Sequence, residues 1–221
     1  MINQTDRAIK IIAILRQASK NMVKPATVSL IERYGRNPYL ILVGCLLSLR
    51  TKDSVSLPAA LRLFEHAITP RLMVSLPLNT IMELIYPVGF YRKKATLLHT
   101  ISQKLIQNFG GNVPHTKEEL LSLPGVGQKT ANLVLSQGFN IPAICVDTHV
   151  HRIANRLGLV QSTRPQETEE QLKKILPQEY WSEFNTLLVM WGQNICTPRS
   201  PHCSTCPIFS LCPKKGVTHS R

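Results

Sequence analysis

The chain has 221 residues, enough to bury a sizeable core as one domain or as two small lobes. A hydrophobic content of 43% argues against disorder, and 26 lysines and arginines against 13 acidic residues give a formal net charge of +13. This charge suits a polyanionic partner such as nucleic acid, with an anionic membrane surface the weaker alternative. The longest apolar stretch, 39–49, is too short to span a bilayer. The first seven residues have no basic segment leading into an apolar core, so we expect no secretory signal and a cytoplasmic location.

Apolar residues recur at helical rather than alternating spacing, which predicts an all-α fold. In chain order, we expect helices at 5–18, 39–48 (preceded by Pro38), 58–65, 79–86, 93–109, 117–123, 128–137, 148–157, 166–175 and 180–193. Thr116 and Glu119 have the form of a capping box before the sixth helix, and Gly138 ends the seventh. Asp147 is the expected N-cap of the eighth helix, which Gly158 closes.

The segment 123–129 reads Leu-Pro-Gly-Val-Gly-Gln-Lys and predicts a hairpin between two short helices. Gly125 and Gly127 permit close approaches that a side chain would block, and Val126 between them is expected to pack inward. Loop N–H groups with a helix N-terminus behind them can accept a phosphate oxygen. An ordinary helix–turn–helix corner is the competing interpretation, and the basic chain favours DNA binding.

Lys129 is the candidate nucleophile of this region, since no other lysine occurs between Lys117 and Lys173. The positive end of a helix and partial desolvation both favour the neutral form of a lysine amine. A neutral amine can attack an electrophilic sugar carbon and form a Schiff base. Asp147 can take a proton from such an amine or stabilise positive charge on a deoxyribose, in addition to capping its helix. His149, on the same helix, is expected to be structural or to contact phosphate.

The six cysteines fall into two groups. Cys45 and Cys145 lie in apolar runs and are expected to be small core residues. The other four have the spacing Cys-x6-Cys-x2-Cys-x5-Cys and are Cys196, Cys203, Cys206 and Cys212. In an intracellular protein this pattern favours a metal site over disulfides. Four thiolates satisfy either zinc or an iron–sulfur cluster, although the wide outer spacings suit a larger cluster.

Taken together, these motifs resemble those of the endonuclease III family of helix-hairpin-helix DNA glycosylases. The resemblance covers nearly the whole chain, from Leu46–Asp53 and Val88–Ala95 through the hairpin to Val146–His149 and the four cysteines. It implies two helical lobes: a six-helix domain at 26–142 carrying the hairpin, and an iron–sulfur cluster domain formed by 1–25 with 143–221.

The resemblance also implies the chemistry. Lys129 would be the nucleophile, Asp147 would assist it, and the four C-terminal cysteines would hold a [4Fe-4S] cluster. The reaction would be excision of an oxidised pyrimidine from duplex DNA followed by strand cleavage through β-elimination, in base excision repair. The damaged nucleotide must leave the stack, because its C1′ is inaccessible within the duplex. The protein is expected to act as a monomer.

The expected DNA contacts include both hairpin and loop residues. They are Arg50, Phe90, Lys94, Gly125, Val126, Gly127, Thr130 and His149. Many relatives carry glutamine where Arg50 stands, and arginine there could read an orphaned guanine by a bidentate contact or could simply bind phosphate. Phe90 stands where leucine is common, and is either an aromatic wedge between bases or ordinary core.

Two other function classes compete with this interpretation. One is a mismatch-specific glycosylase that removes thymine, uracil or adenine without cutting the strand. Adenine-excising relatives carry glutamate where Gly44 stands, and such enzymes tend to lack the hairpin lysine, so Gly44 and Lys129 disfavour both types. The other is a non-catalytic DNA-binding module, since such hairpins also occur as plain binding elements. It predicts salt-sensitive DNA binding that does not depend on Lys129.

Overall fold

The computed structural model describes residues 3–221, so the expectation for the start of the chain falls partly on residues 1 and 2, outside that range. The helices are α1 Gln4–Ala18, α2 Ala26–Tyr34, α3 Pro38–Ser48, α4 Asp53–Phe64, α5 Pro70–Ser75, α6 Leu78–Ile85, α7 Tyr91–Phe109, α8 Lys117–Ser122, α9 Gln128–Leu133, α10 Thr148–Arg156, α11 Pro165–Ile175 and α12 Trp181–Asn194. Residues 3–221 contain no β-strand, which confirms the all-α class. No helix among them has both the length and the apolar character needed to cross a membrane.

The chain divides into two compact units. One is the segment up to Lys24 together with Pro142–Arg221, and the other is the continuous segment Pro25–Ile141. The continuous unit holds eight α-helices, α2 to α9, within fully described sequence, two more than the six expected. Helix α2 and the six-residue α5 were not predicted from the sequence, and α5 is too short to show a helical period.

The core of the unit Pro25–Ile141 is built around α3, in which every residue from Tyr39 to Leu47 is buried. The predicted helix 39–48 is confirmed as α3, which begins one residue earlier, at Pro38, and whose start has two local signals. Pro38 occupies the first turn, and the Asn37 side chain accepts hydrogen bonds from the N–H groups of Tyr39 and Leu40 at 3.0 and 3.2 Å. Helices α2, α4, α7 and α9 pack around this apolar rod.

Two predicted helices of this unit have different bounds. The predicted helix 58–65 corresponds to α4, which begins at Asp53, so Pro58 lies inside the helix and not at its start. Proline lacks an N–H donor, so the helix loses one backbone hydrogen bond there and continues. The predicted helix 128–137 is α9 up to Leu133, followed by a π-helical turn, Val134–Gly138. Gly138 lies so close to α3 that a Cβ would be 3.0 Å from the Cα of Pro38.

The unit formed by both chain ends has its own core. Helix α1 contributes Ile11, Ile12 and Leu15, which pack with residues of α10, α11 and α12. Helix α10 spans Thr148–Arg156 and ends before Gly158, whose φ of +61° closes it as predicted. Short 3₁₀ segments lie at Gln178–Tyr180 and Phe209–Leu211, the second within the cysteine-rich segment.

Candidate functional site

The hairpin lies between α8 and α9 and depends on glycine at one position. Gly125 has a φ of +73°, and a Cβ there would be 2.8 Å from Cδ2 of Leu97, so both the backbone conformation and the packing require glycine. Val126 is buried between two exposed glycines, which confirms its inward packing. Gly127 is the N-cap of α9, and having no side chain it leaves the first turn of the helix accessible. This arrangement suits a phosphate oxygen.

Lys129 is the second residue of α9 and its side chain is exposed, so the expectation of partial desolvation is wrong. The reason is helical phase: Thr130, Ala131 and Asn132 take the buried positions of this short helix. Its charge also reaches α3. Burial raises the pKa of the Cys45 thiol to about 12, and the positive charge of Lys129 opposes that rise. Cys45 is therefore a buried thiol, as predicted, near the candidate nucleophile.

Asp147 is the N-cap of α10, as its sequence context predicted. Its Oδ1 accepts hydrogen bonds from the N–H groups of His149 and Val150, both at 2.8 Å, and the side chain is half-buried. A carboxylate at the positive end of a helix is stabilised there. The cap also fixes where this carboxylate lies, because one oxygen is held by two backbone donors.

His149 packs into its own unit. Nη2 of Arg152 lies 3.2 Å from its Nδ1, and a Cβ added at Gly192 would be 2.3 Å from the same nitrogen. The ring therefore packs against the backbone of α12, which supports a structural role for His149 over a contact with phosphate. Thr130 in the other unit is only 4% exposed, so the prediction that its side chain contacts DNA is wrong.

Arg50 and Phe90 form an exposed pair in the unit Pro25–Ile141. The guanidinium carbon of Arg50 lies 5.1 Å from the centroid of the Phe90 ring, a cation–π contact. Both residues have left-handed backbones, with φ of 55° and 60°. Phe90 is 56% exposed, which excludes the alternative that it is ordinary core. An exposed aromatic ring stacked with arginine is suited to nucleobases.

Lys94 supports this pair from inside the protein. Its Nζ donates to the carbonyls of Leu47 and Leu49, at 2.7 and 2.6 Å, and to Oγ1 of Thr51 at 3.2 Å. The residue is 6% exposed, and burial lowers the pKa of Lys94 to about 8. The prediction that Lys94 contacts DNA is therefore wrong, because its ammonium group is bound to protein carbonyls. It is a positioning residue for the loop that carries Arg50.

The four C-terminal cysteines line one cavity. Among residues 3–221, no three His, Cys, Asp or Glu side chains are arranged to hold a single metal ion. Four thiols that share one cavity without converging on a single point fit a multi-iron cluster better than one zinc ion. Burial raises the pKa values of Cys206 and Cys212, so these thiolates need positive charge beside them, which iron supplies.

Two residues of this cavity, Arg156 and Trp191, were not predicted from the sequence. Arg156 is buried and donates to the carbonyls of Thr197 and Pro198 at 2.7 and 2.8 Å, while its Nη1 lies 3.3 Å from Sγ of Cys196. Trp191 is 1% exposed. Its indole N–H lies near Cys206 and favours the thiolate, which lowers the pKa of Cys206 against the rise caused by burial, but it makes no hydrogen bond of normal geometry. The available signal was an arginine and a tryptophan at core positions of helices α10 and α12.

Comparison with known proteins agrees with this geometry. Residues 43–178 match the HhH-GPD superfamily base excision DNA repair proteins, and residues 196–212 match the iron-sulfur binding domain of endonuclease III. Endonuclease III of Thermotoga maritima is 43% identical over 196 residues, 86% of this chain and 92% of that one. Two solved structures, a non-covalent endonuclease III–DNA complex and a trapped endonuclease III–DNA covalent intermediate with an estranged adenine, each share 33% identity over 97% of both chains, with TM-scores of 0.83 and 0.81.

Proposed function

The chain belongs to the endonuclease III family of HhH-GPD base excision DNA repair proteins, and on this premise we propose that Lys129 is its nucleophile. The protein is a DNA glycosylase and abasic-site lyase that acts on duplex DNA and contains a [4Fe-4S] cluster. One observation carries the assignment of Lys129. Lys129 is the second residue of α9, the helix that directly follows the two exposed glycines of the hairpin, and its side chain is exposed. A phosphate held by that loop brings the adjoining deoxyribose to the amine.

The substrate we propose is an oxidised or ring-saturated pyrimidine that has been extruded from the duplex. Unstacking costs a few kcal/mol and least for a damaged base, so damage favours extrusion. The Lys129 amine forms a bond to C1′ as the bond from C1′ to the base breaks and the base departs with a proton. The ring-opened sugar is then an imine, loss of a C2′ proton expels the 3′ phosphate, and hydrolysis releases the lysine.

Asp147 assists this reaction through charge. We propose that its carboxylate stabilises the positive charge that develops on the deoxyribose as the base leaves, and helps remove a proton from the amine of Lys129. The half-buried position and the two backbone donors at 2.8 Å support this role, because they hold the carboxylate in one orientation. A group that is already oriented needs little reorganisation in the transition state.

The DNA contacts we propose fall on the hairpin and on the exposed pair. Gly125 and Gly127 hold phosphate through backbone N–H groups, and Val126, whose own N–H donates to the carbonyl of Leu123 at 3.2 Å, fixes the turn between them. Arg50 and Phe90 enter the space left by the extruded nucleotide. Arg50 is then able to read an orphaned guanine, whose O6 and N7 accept from one guanidinium. The formal charge of +13 supports tight, salt-dependent binding to the backbone.

We further propose that Cys196, Cys203, Cys206 and Cys212 hold the cluster in the unit formed by both chain ends, with the hairpin unit Pro25–Ile141 supplying the lysine. Iron supplies positive charge to the four thiolates and thereby ties the cysteine-rich segment to the core of that unit. A monomer in the cytoplasm, associated with the nucleoid if the source is bacterial, is the proposed working state, since the substrate is chromosomal DNA.

Adenine excision is disfavoured by Gly44 itself, since adenine-excising relatives carry glutamate at this position. A Cβ at this buried position of α3 would be 2.6 Å from Cδ1 of Leu30, so a larger side chain there would have to displace the end of the Leu30 side chain. A thymine- or uracil-specific enzyme that lacks lyase activity would have no use for Lys129. These two residues support the bifunctional enzyme over both monofunctional alternatives.

The test is borohydride trapping on duplex DNA that contains thymine glycol. We expect the wild-type protein to form a covalent adduct and to cut the strand, and Lys129→Gln to do neither while keeping its iron and its fold. Lys104→Gln is the matched control, because Lys104 is an exposed lysine on α7 in the same unit. Each variant removes one of 26 basic side chains, so both should bind undamaged DNA almost as tightly as the wild type. Normal cleavage by Lys129→Gln would refute the assignment and favour another nucleophile.

A further inference from the structure

Trp191, in the unit formed by both chain ends, has a buried N–H group without a hydrogen-bond partner among residues 3–221. It lies on α12 in the wall of the cysteine cavity and is 1% exposed. Its Nε1 has no hydrogen-bond acceptor among the described residues. A buried N–H group without an acceptor is rare in folded proteins, because the group has lost its water and gained nothing in exchange. An acceptor that belongs in this cavity is therefore expected.

The protein's other tryptophan shows the contrast. Trp181, at the start of the same helix, donates its indole N–H to the carbonyl of Leu176 at 2.9 Å. Both indoles are in one unit and on one helix, but only that of Trp191 faces the cysteines. The side chains beside it in the cavity wall include Ile153, Leu157 and Ile195, none of which can accept a hydrogen bond. The ring of His202 also lines the wall but does not bind the Trp191 N–H, which leaves anionic sulfur as the acceptor, and Cys206 is the cysteine beside the indole.

We propose that the indole N–H of Trp191 donates a hydrogen bond to a sulfur of the [4Fe-4S] cluster, either Sγ of Cys206 or the inorganic sulfide next to it. This inference rests on the cysteine ligation proposed above. A hydrogen bond to sulfur stabilises the cluster most when it carries more negative charge, which is its reduced state. Trp191 thus raises the reduction potential of the cluster. It is a positioning and tuning residue, without contact to DNA.

The first experiment removes only the donor. Trp191→Phe keeps an aromatic ring in the cavity, and Trp181→Phe is the matched control with its donor bound to a carbonyl. We expect Trp191→Phe to retain its iron and to show a more negative potential in protein-film voltammetry. At a fixed potential near the midpoint, the ratio of oxidised to reduced cluster should rise roughly tenfold, which is ~59 mV for a one-electron couple. Trp181→Phe should keep the wild-type potential. An unchanged potential in a fully loaded Trp191→Phe variant would overturn the proposal.

A second experiment decides the question even if Trp191→Phe does not load its cluster. Trp181→Phe protein is grown with tryptophan labelled with ¹⁵N in the indole ring, so that Trp191 carries the only label. The cluster is brought to a paramagnetic state at an electrode by one-electron oxidation or reduction. A pulsed electron paramagnetic resonance spectrum should then show coupling to the indole nitrogen, and its absence would refute the hydrogen bond.

Failure of the ligation is distinguishable from failure of the hydrogen bond. If Cys206→Ala binds iron with an unchanged visible spectrum, the cysteine assignment is wrong. If Cys206→Ala loses the cluster but the labelled protein shows no nitrogen coupling, the ligand assignment survives and the role of Trp191 does not.

Discussion

Asp147 offers a way to separate stability from catalysis, because it both caps α10 and is the proposed charge-stabilising carboxylate. Its Oδ1 accepts from the N–H groups of the second and third residues of α10 at 2.8 Å each. The choice of replacement matters, because asparagine has a side-chain acceptor like that of aspartate and caps about equally well, whereas alanine has none. Asp147→Ala should therefore cost about 1–2 kcal/mol of stability. Asp147→Asn should lose only the charge–dipole part, about 0.3–1 kcal/mol.

The cap supports more than one turn of helix. Helix α10 places Val150 and Ile153 in the core of its unit and Arg156 beside Cys196, so fraying at Asp147 weakens the packing of the whole helix. For a protein of this size, about 1 kcal/mol corresponds to a shift in Tm of about 2–4 °C. Thermal unfolding followed by circular dichroism at pH 7 measures this shift.

Activity is measured on the same preparations, as cleavage of duplex DNA containing thymine glycol. We expect Asp147→Asn to unfold close to the wild-type temperature yet to lose most of its cleavage activity, and Asp147→Ala to lose both. Wild-type cleavage by Asp147→Asn would show that the carboxylate serves only as a cap. Equal destabilisation by the two variants would show that the cap argument is wrong.

Three further predictions concern residues of the unit Pro25–Ile141. The pKa of Lys94 is about 8 in the folded protein, whereas that of a lysine in an unfolded chain is ~10.4. Between these pH values the unfolded state binds the extra proton, so the free energy of unfolding should rise with pH across this window by at most about 3 kcal/mol. Urea unfolding of Lys94→Met should lack that rise; a matching rise in the variant would assign it to another group. Gly125→Ala should weaken DNA binding, measured by fluorescence anisotropy, because its φ of +73° is strained for alanine, whereas Gly127→Ala should fold normally since no atom lies within 4 Å of its Cβ. Phe90→Ala should change stability by less than about 0.5 kcal/mol because the ring is exposed, but reduce excision of damaged bases, and unaltered excision would remove the ring from the DNA interface.

Helix positions were predictable where local signals agree with the hydrophobic pattern. Helix α3 combines a proline in its first turn, an asparagine cap and an unbroken apolar run, so its bounds follow from the sequence. The start of α4 was not predictable in this way, because Pro58 has the form of a helix start while tertiary packing tolerates the proline in the interior. The π-helical turn at Val134–Gly138 has no signal in composition. It arises where Gly138 meets Pro38 of α3, a contact between residues 100 positions apart in sequence.

In the candidate site, the identities of the residues were predictable from the sequence, but their surroundings were not. Motif and spacing were enough to select Lys129, Asp147 and the four cysteines as candidates. Burial was not predictable from the motif alone, and it reversed the expected environment of Lys129 and Thr130. For Lys94 the signal existed in the helical period, since Leu98, Ile101 and Leu105 follow it at i+4, i+7 and i+11 on one face of α7. A lysine in that phase points into the core with them.

The placement of Lys94 explains how two strained residues can both be held on the protein surface. Left-handed backbones are unfavourable for residues other than glycine, so Arg50 and Phe90 need support from their surroundings. That support is a single network: the ammonium group of Lys94 binds the carbonyls of Leu47 and Leu49 and the hydroxyl of Thr51, and the same hydroxyl accepts from the N–H of Gly89. The loop before Arg50 and the loop before Phe90 are thus joined through Thr51. Because the network fixes both backbones in the free protein, the DNA contacts proposed for this pair would not require it to be ordered on binding, and less of the binding free energy would be lost to conformational entropy.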